Sequence, residues 1–419
     1  MEAKSPNPTV SGPTGTIGSN KGLSSKRLER TAATWIAYLL LIYFSLILNC
    51  LGPITSFVRS EQHLTFGQAG LLGSSFAAGF VAASLVAARI SRKLGPWGTL
   101  SLACAGLLSG SLLICSGKDY FVLLAGSFFA GTLGSLLISE IPLLLVREHH
   151  AQSRAAITEA NGLASASTIF APAMLSLAEQ GHCGWRAAFL APFLLVVACA
   201  FIFLRYRPTP GPLGIPALPS LDRKLGTAFW TIWLLLLLSV AVEFSIIFWA
   251  TDFFRLTGIS DPARAGGVLI AFFVAMSFGR LLGSALASRF SSASVITVSL
   301  CVAFVGSILY CFAATVPVRL VGLASVGLGI SNLYPSFLTL ALSKSNQIEA
   351  SAKTMLASGI AILLFPFVLG GVADLTSLRQ AQILIPCILI AIFAIFLRSA
   401  AKEKRSSRTG SIGASMTGS

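Results

Sequence analysis

The sequence predicts an all-α polytopic membrane protein whose twelve transmembrane helices form two pseudo-symmetric six-helix bundles. Three observations carry this. The 419 residues are 55% hydrophobic and 11% charged with a mean hydropathy of +0.82, too little polar surface to cover a soluble globule. Twelve apolar runs match the ~20 residues a helix needs to cross the hydrocarbon core. The two sets of six also restate each other. Gly134 precedes Pro142 by eight residues as Gly327 precedes Pro335, Ser91-Arg92 recurs as Ser288-Arg289, and Pro172 recurs as Pro366, all 193 to 197 residues apart. Parallel repeats of this kind belong to transporters whose site lies between the halves near the bilayer midplane.

Residues 1–30 are rich in Ser, Pro, Gly and Thr and carry Lys21, Lys26, Arg27 and Arg30 ahead of the first span, the composition of a disordered cytoplasmic tail. The apolar run that follows is too long for a signal peptide and lacks a small-residue cleavage site. Spans are expected near 32–58, 66–90, 97–116, 120–146, 153–177 and 185–204, making a first bundle over 31–204. A linker over 205–226, RYRPTPGPLGIPALPSLDRKLG, has prolines and glycines that forbid a helix. The second bundle, over 227–398, has spans near 227–252, 265–289, 294–315, 319–343, 353–373 and 380–398, followed by a second basic tail at 399–419, also expected to be disordered.

The positive charges set orientation. Of 30 Lys and Arg, 23 fall on the side of the tails and the even-to-odd connections and seven on the other, which places both termini in the cytoplasm of a multi-pass plasma (inner) membrane protein. The net charge of +15 is spread over short loops rather than gathered on one arm, so nucleic acid is not an expected partner. The expected partners are the lipid bilayer and a small-molecule substrate, and the protein is expected to be a monomer. Seven of eight cysteines lie in apolar runs and Cys183 is alone in its loop, so no disulfide framework is expected. There is no phosphate-cradling P-loop, no His/Cys metal cluster and no Ser-His-Asp set with an embedded base. The glycines from Gly126 to Gly134 read as close helix packing. An enzyme and a bound cofactor are therefore not expected, and energy has to come from an ion or substrate gradient.

Chemistry concentrates in the spans. Trp233 to Phe254, WLLLLLSVAVEFSIIFWATDFF, is long enough to span but carries Glu243 near its middle and Trp249 and Asp252 beyond it. A charged carboxylate at that depth costs about 2.5–3.5 kcal/mol on insertion scales, so it either pairs with a neighbouring helix or faces water and binds substrate or proton. Glu140, in GSLLISEIPLLL, poses the same choice: a protonatable group, or a pair for Arg147 or Arg154. Glu159 near the surface reads as part of a charge network with Arg154. Asn49, Asn161, Asn332 and Tyr334 are polar within apolar spans and are cavity-lining candidates. Trp249 suits stacking against a sugar, or anchoring at the interface. Arg280 near the inner end of span 8 reads as a snorkelling or structurally paired charge.

The loop ISRKLG (Ile90–Gly95) resembles the Asp-Arg-x-Gly loop of the major facilitator superfamily, with Arg92 and Gly95 in place and Ser91 where the family has aspartate. Ser288, before Arg289, makes the same replacement in the second half. Gly184-Trp185-Arg186 is also familiar from that family. VEFSIIFWATDFF, GRLLGSALASRF (Gly279–Phe290), GLGISNLYPSF (Gly327–Phe337) and SGIAILLFPFVLGGVADL (Ser358–Leu375) are similar to the fucose/galactose/glucose proton symporter branch. The resemblance implies alternating access, with Arg92 and Arg289 as gating charges. Where the branch has acids in spans 1 and 4, this chain has Asn49 and Leu137, with Glu140 three residues on. The expectation is a secondary transporter, proton-coupled, for a small sugar-like solute. A proton-coupled exporter of amphiphilic cations or drugs is the first alternative, weakened because span 5 has Pro172 without a neighbouring glycine pair. A non-transporting receptor is the second, with no visible output domain in the tails.

Overall fold

The computed structural model describes residues 28–207, 226–286, 289–343 and 347–416. The first tail up to residue 27, residues 208–225 of the linker, and Ser288 lie outside the described residues. Every regular element among the described residues is a helix.

Span 1 is α1 (Ala32–Glu61), and α2 (Phe66–Ser116) carries spans 2 and 3. Span 4 is α3 (Tyr120–Gly134) with α4 (Leu136–His149), span 5 is α5 (Ser153–Ser167) with α6 (Phe170–Gln180), and span 6 is α7 (Gly184–Leu190) with α8 (Phe193–Tyr206). In the second half, α9 (Thr227–Thr257), α10 (Pro262–Leu286) and α11 (Ser292–Phe312) are spans 7 to 9. Span 10 is α12 (Val316–Ile330) with α13 (Leu333–Ser343), span 11 is α14 (Gln347–Leu375), and span 12 is α15 (Leu378–Ala381) with α16 (Leu384–Met416).

Local chemistry accounts for the starts and breaks. The Thr31 hydroxyl accepts from the Thr34 amide at the start of α1, and Thr65 and Gln68 form a reciprocal capping box on α2. Spans 2 and 3 are separated within α2 by Gly95 alone, at φ 67° and ψ 177°, a conformation that any side chain would strain. Pro53 offers no N–H to the Asn49 carbonyl inside α1. Among the described residues, eleven helical stretches are long and apolar enough to cross a membrane. Span 5 is the twelfth, divided at Thr168 and Ile169 into two shorter helices. One expectation needs correcting at the chain's end. The backbone stays helical through Met416 instead of becoming irregular after 398, because residues 399–416 hold no proline and begin with the helix formers Ala400 to Lys404.

Within each half the helices pack in the same pattern. Span 1 packs on spans 5 and 6 as span 7 does on 11 and 12, and spans 2 and 3 pack on span 4 as 8 and 9 do on 10. The halves meet through spans 1 and 7, 2 and 11, and 5 and 8, a set that maps onto itself when the halves are exchanged.

Glycine contacts fix the register of the repeat. A methyl on Gly110 would lie 2.6 Å from the Gly126 carbonyl, and one on Gly306 would lie 2.9 Å from the Gly322 carbonyl, 196 residues on. Gly131 meets the Phe76 carbonyl as Gly327 meets the Phe272 carbonyl. Span 4 breaks at Ser135, whose amide bonds the Gly131 carbonyl at 3.2 Å, and span 10 breaks at Ser331, whose amide bonds the Gly327 carbonyl at 3.2 Å. The register is therefore 196, and the expected equivalence of Gly134 with Gly327 and of Pro142 with Pro335 is three residues out of step.

Candidate functional site

The connections divide the bundle into an end that carries the chain termini and a distal end. At the distal end, span 1 reads Ser56-Phe57-Val58-Arg59 and span 7, 196 residues on, reads Asp252-Phe253-Phe254-Arg255. These four polar residues meet across the interface. Asp252, 1% exposed, accepts from the Ser56 hydroxyl at 2.9 Å and from Arg59 Nη2 at 2.8 Å, while Arg255 Nη1 donates to the Ser56 hydroxyl at 3.0 Å and to Ser60 at 3.1 Å. Asp374, at the end of span 11, accepts from the amides of Phe66 and Gly67, both at 2.7 Å, at the positive start of α2. Beneath these, the Pro366 carbonyl and the Phe248 ring leave no room for a side chain at Gly70 and Gly73. The distal end is closed.

Glu243 lies nine residues, about 13 Å of helix, from Asp252 toward the terminal end. Ile247, one turn further along the same face, presses against Gly52 of span 1. Glu243 therefore lies one turn from this contact with span 1. It is partly exposed and makes no hydrogen bond or ion pair among the described residues. The ionisable groups facing it are Arg280 of α10 and Tyr334 of α13, both part-buried, and Tyr334 in turn neighbours Ser358 of α14. At the equivalent positions the first half has Ile47, Ser84 and Ile138, so this polar set belongs to the second bundle alone.

Glu140 has a different setting. It is 1% exposed and its carboxylate lies 3.4 Å from Arg147 Nη1. Glu159 accepts from Arg30 Nε and the Tyr38 hydroxyl, both at 3.0 Å, in a network at the terminal end, and Arg154 is exposed with no ion pair among the described residues. Arg30, ahead of the first span, has its pKa raised by the hydrogen bond and charge of Glu159.

The remaining polar residues mostly find partners within the protein. The Asn49 amide donates to the Ser45 carbonyl at 2.8 Å, and that of Asn161, on an exposed face, to the Ile157 carbonyl at 2.8 Å. Asn332 donates to the Gly279 carbonyl at 3.0 Å, clasping the break of span 10 to span 8. Trp249 is fully buried, donates to the Pro366 carbonyl at 3.0 Å, and meets the Phe66 ring edge-on at 5.6 Å. Arg92 and Arg289 are exposed and have no ion pair among the described residues.

The Major Facilitator Superfamily profile matches residues 34–352. The chain belongs to this superfamily. It is thus a secondary transporter that works by alternating access. No curated protein matches it by sequence. Among solved structures, the chain is similar to a bacterial homologue of the human lysosomal transporter Spinster in an inward-facing, unoccupied conformation, at 14% identity and a TM-score of 0.72 over 89% of this chain and 98% of that one. It is similar to the nucleoside transporter NupG at 13% identity and a TM-score of 0.70, over 88% and 99% of the two chains. It also resembles the transporter FucP in an outward conformation, at 17% identity and a TM-score of 0.57, over 88% and 98%.

In a superfamily member the interface of the halves is where solute crosses. The distal cluster of Ser56, Arg59, Asp252 and Arg255 escaped the reading of single spans. Its signal is the repeat of SFVR as DFFR, which becomes visible once the halves are aligned at 196. The Gly-Trp-Arg motif also gains a physical role, since Trp185 Nε1 and Arg186 Nη1 donate to Glu61 at 3.1 and 3.0 Å and tie span 6 to span 1.

Proposed function

We propose that this transporter is a proton-coupled symporter that moves a small, sugar-like organic solute inward across the plasma membrane, with Glu243 as the coupling carboxylate. The observation that carries this is the setting of Glu243: mid-span, partly exposed, facing Arg280 and Tyr334, and without a hydrogen bond or ion pair among the described residues. A charge held there is costly in hydrocarbon, and taking up a proton removes that cost before the halves close over the site. Glu140, by contrast, has Arg147 at hand. Arg280 and Tyr334 supply the polar groups on the second-bundle side. With both termini in the cytoplasm, the closed distal end is the outer one and the site opens inward. The higher score against the inward-facing Spinster homologue than against outward FucP supports this. The symporter branch rests on the span 7, 8, 10 and 11 motifs; a D-xylose-proton symporter shares the fold at 15% identity, with a TM-score of 0.69. Arg280 facing Glu243 speaks against an exporter of amphiphilic cations, because the guanidinium repels such a solute at the acid meant to attract it.

The test begins with a thermal-shift screen of sugars, organic acids and cationic amphiphiles, followed by reconstitution with the stabilising solute. Glu243→Gln is expected to exchange that solute across the vesicle membrane but not to concentrate it under a pH gradient. Uphill uptake at the normal rate by Glu243→Gln would refute the assignment.

A further inference from the structure

Arg319, at the start of α12, is 3% exposed, and no carboxylate among the described residues pairs with it. Its Nη2 donates to the Ala313 carbonyl at 2.6 Å and its guanidinium lies 4.9 Å from the centre of the Phe253 ring, but Nε and Nη1 have no partner. Two more orphaned side chains stand around the same place. Tyr310, fully buried with its ring 4.9 Å from Phe253, has an unpartnered hydroxyl. Gln382, fully buried and held by the Cys311 thiol on its carbonyl, has neither amide atom satisfied. The other cation facing Arg319 is Arg379, so the local charge is doubly positive. Spans 9, 10 and 12 thus bring a guanidinium, an amide and a hydroxyl together at the distal end of the second bundle, away from Glu243.

Buried polar atoms in folded proteins are almost always satisfied, and a buried charge is almost always balanced. Five unpartnered buried polar atoms on Tyr310, Arg319 and Gln382, with Arg379 adding a second positive charge, mark a place for something that accepts several hydrogen bonds and carries negative charge. A water accepts hydrogen bonds but leaves the charge unbalanced. The enclosure of all three side chains leaves out a bulky organic anion. We propose that Arg319, Gln382 and Tyr310 hold a small inorganic anion of chloride size. The donors offered to it are Gln382 Nε2, the Tyr310 hydroxyl and Arg319 Nε and Nη1.

The test uses the full-length protein in detergent, melted in sodium chloride and in sodium gluconate at equal ionic strength. Chloride is expected to raise the melting temperature along a saturating curve that gluconate does not reproduce. Arg319→Gln should abolish the rise, while Arg264→Gln, an 82% exposed arginine at the same end, should keep it. Should Arg319→Gln fail to fold, Gln382→Leu decides: it keeps the charge and removes one donor, and is expected to shift the midpoint to about tenfold higher chloride. Identical melting in chloride and gluconate would mean that water alone fills the site. An undiminished chloride effect in Arg319→Gln, or an unmoved midpoint in Gln382→Leu, would place the ion elsewhere. Each of these results overturns the proposal.

Discussion

Arg147 follows Glu140 by seven residues on α4, two turns along one face, and the carboxylate stays within 3.4 Å of its guanidinium. Glu243 has no such neighbour on α9. Two acids that look alike in sequence therefore call for opposite tests. Replacing Glu140 with Gln leaves a part-buried Arg147 without its counter-charge, a loss of about 1–3 kcal/mol. The expected outcome is a lower melting temperature with pH-driven uptake preserved; normal melting with uncoupled uptake would move the proton to Glu140. The asparagines show the limit of residue-level reading. Asn49, Asn161 and Asn332 stand out because they are polar in apolar company, yet each amide is used on a carbonyl of its own helix or of Gly279. Sequence displays a polar group but not the carbonyl that will satisfy it.

At the scale of elements, composition located the spans well because hydrocarbon thickness admits few lengths. What it could not show is where a helix breaks without a proline. Ser135 and Ser331 interrupt spans 4 and 10 at equivalent places, each just beyond a glycine pressed on the carbonyl of another span. The glycines Gly131 and Gly327 should therefore be equally intolerant. An added methyl collides with the Phe76 or Phe272 backbone, which cannot swing aside as a side chain would. Gly131→Ala and Gly327→Ala are each expected to cost about 1–3 kcal/mol by overpacking, seen as matching falls in thermal stability of the purified protein. A large fall for one and none for the other would break the equivalence of spans 4 and 10. The reading of Gly126 to Gly134 as packing glycines agrees with these contacts, whereas the proline spacing misled the register by nearly a turn.

For the whole molecule, the two-bundle plan was legible in the repeat, and the state of the gate was not, because it depends on side chains from opposite halves. The distal cluster makes that state testable. Asp252→Asn removes the one carboxylate that Arg59 and Ser56 share, and breaking a buried pair from one side costs about 3–5 kcal/mol. Spin labels at His63 and Ser260, on distal connections of the two bundles, are expected to move apart in this variant as the open-distal population grows. Unchanged distances would mean that Asp374 and the packing around Gly70 hold the end shut alone.

The same cluster has one carboxylate for two guanidinium groups, since Ser56 stands where symmetry would put a second acid. While the halves are together the surplus is spread over hydroxyls. Once they part, Arg59 stays on the first bundle with Glu179, which lies near enough to feel the Arg255 charge, and Arg255 stays on the second with Asp252, so the mouth is lined by two cations and two carboxylates. Such a rim carries no net charge of its own, so it neither draws in nor slows a solute by sign over the ~8 Å that physiological salt leaves unscreened. Selection at the approach would then be weak and little changed by added salt, and selection by shape and hydrogen bonding is left to the deeper residues around Glu243.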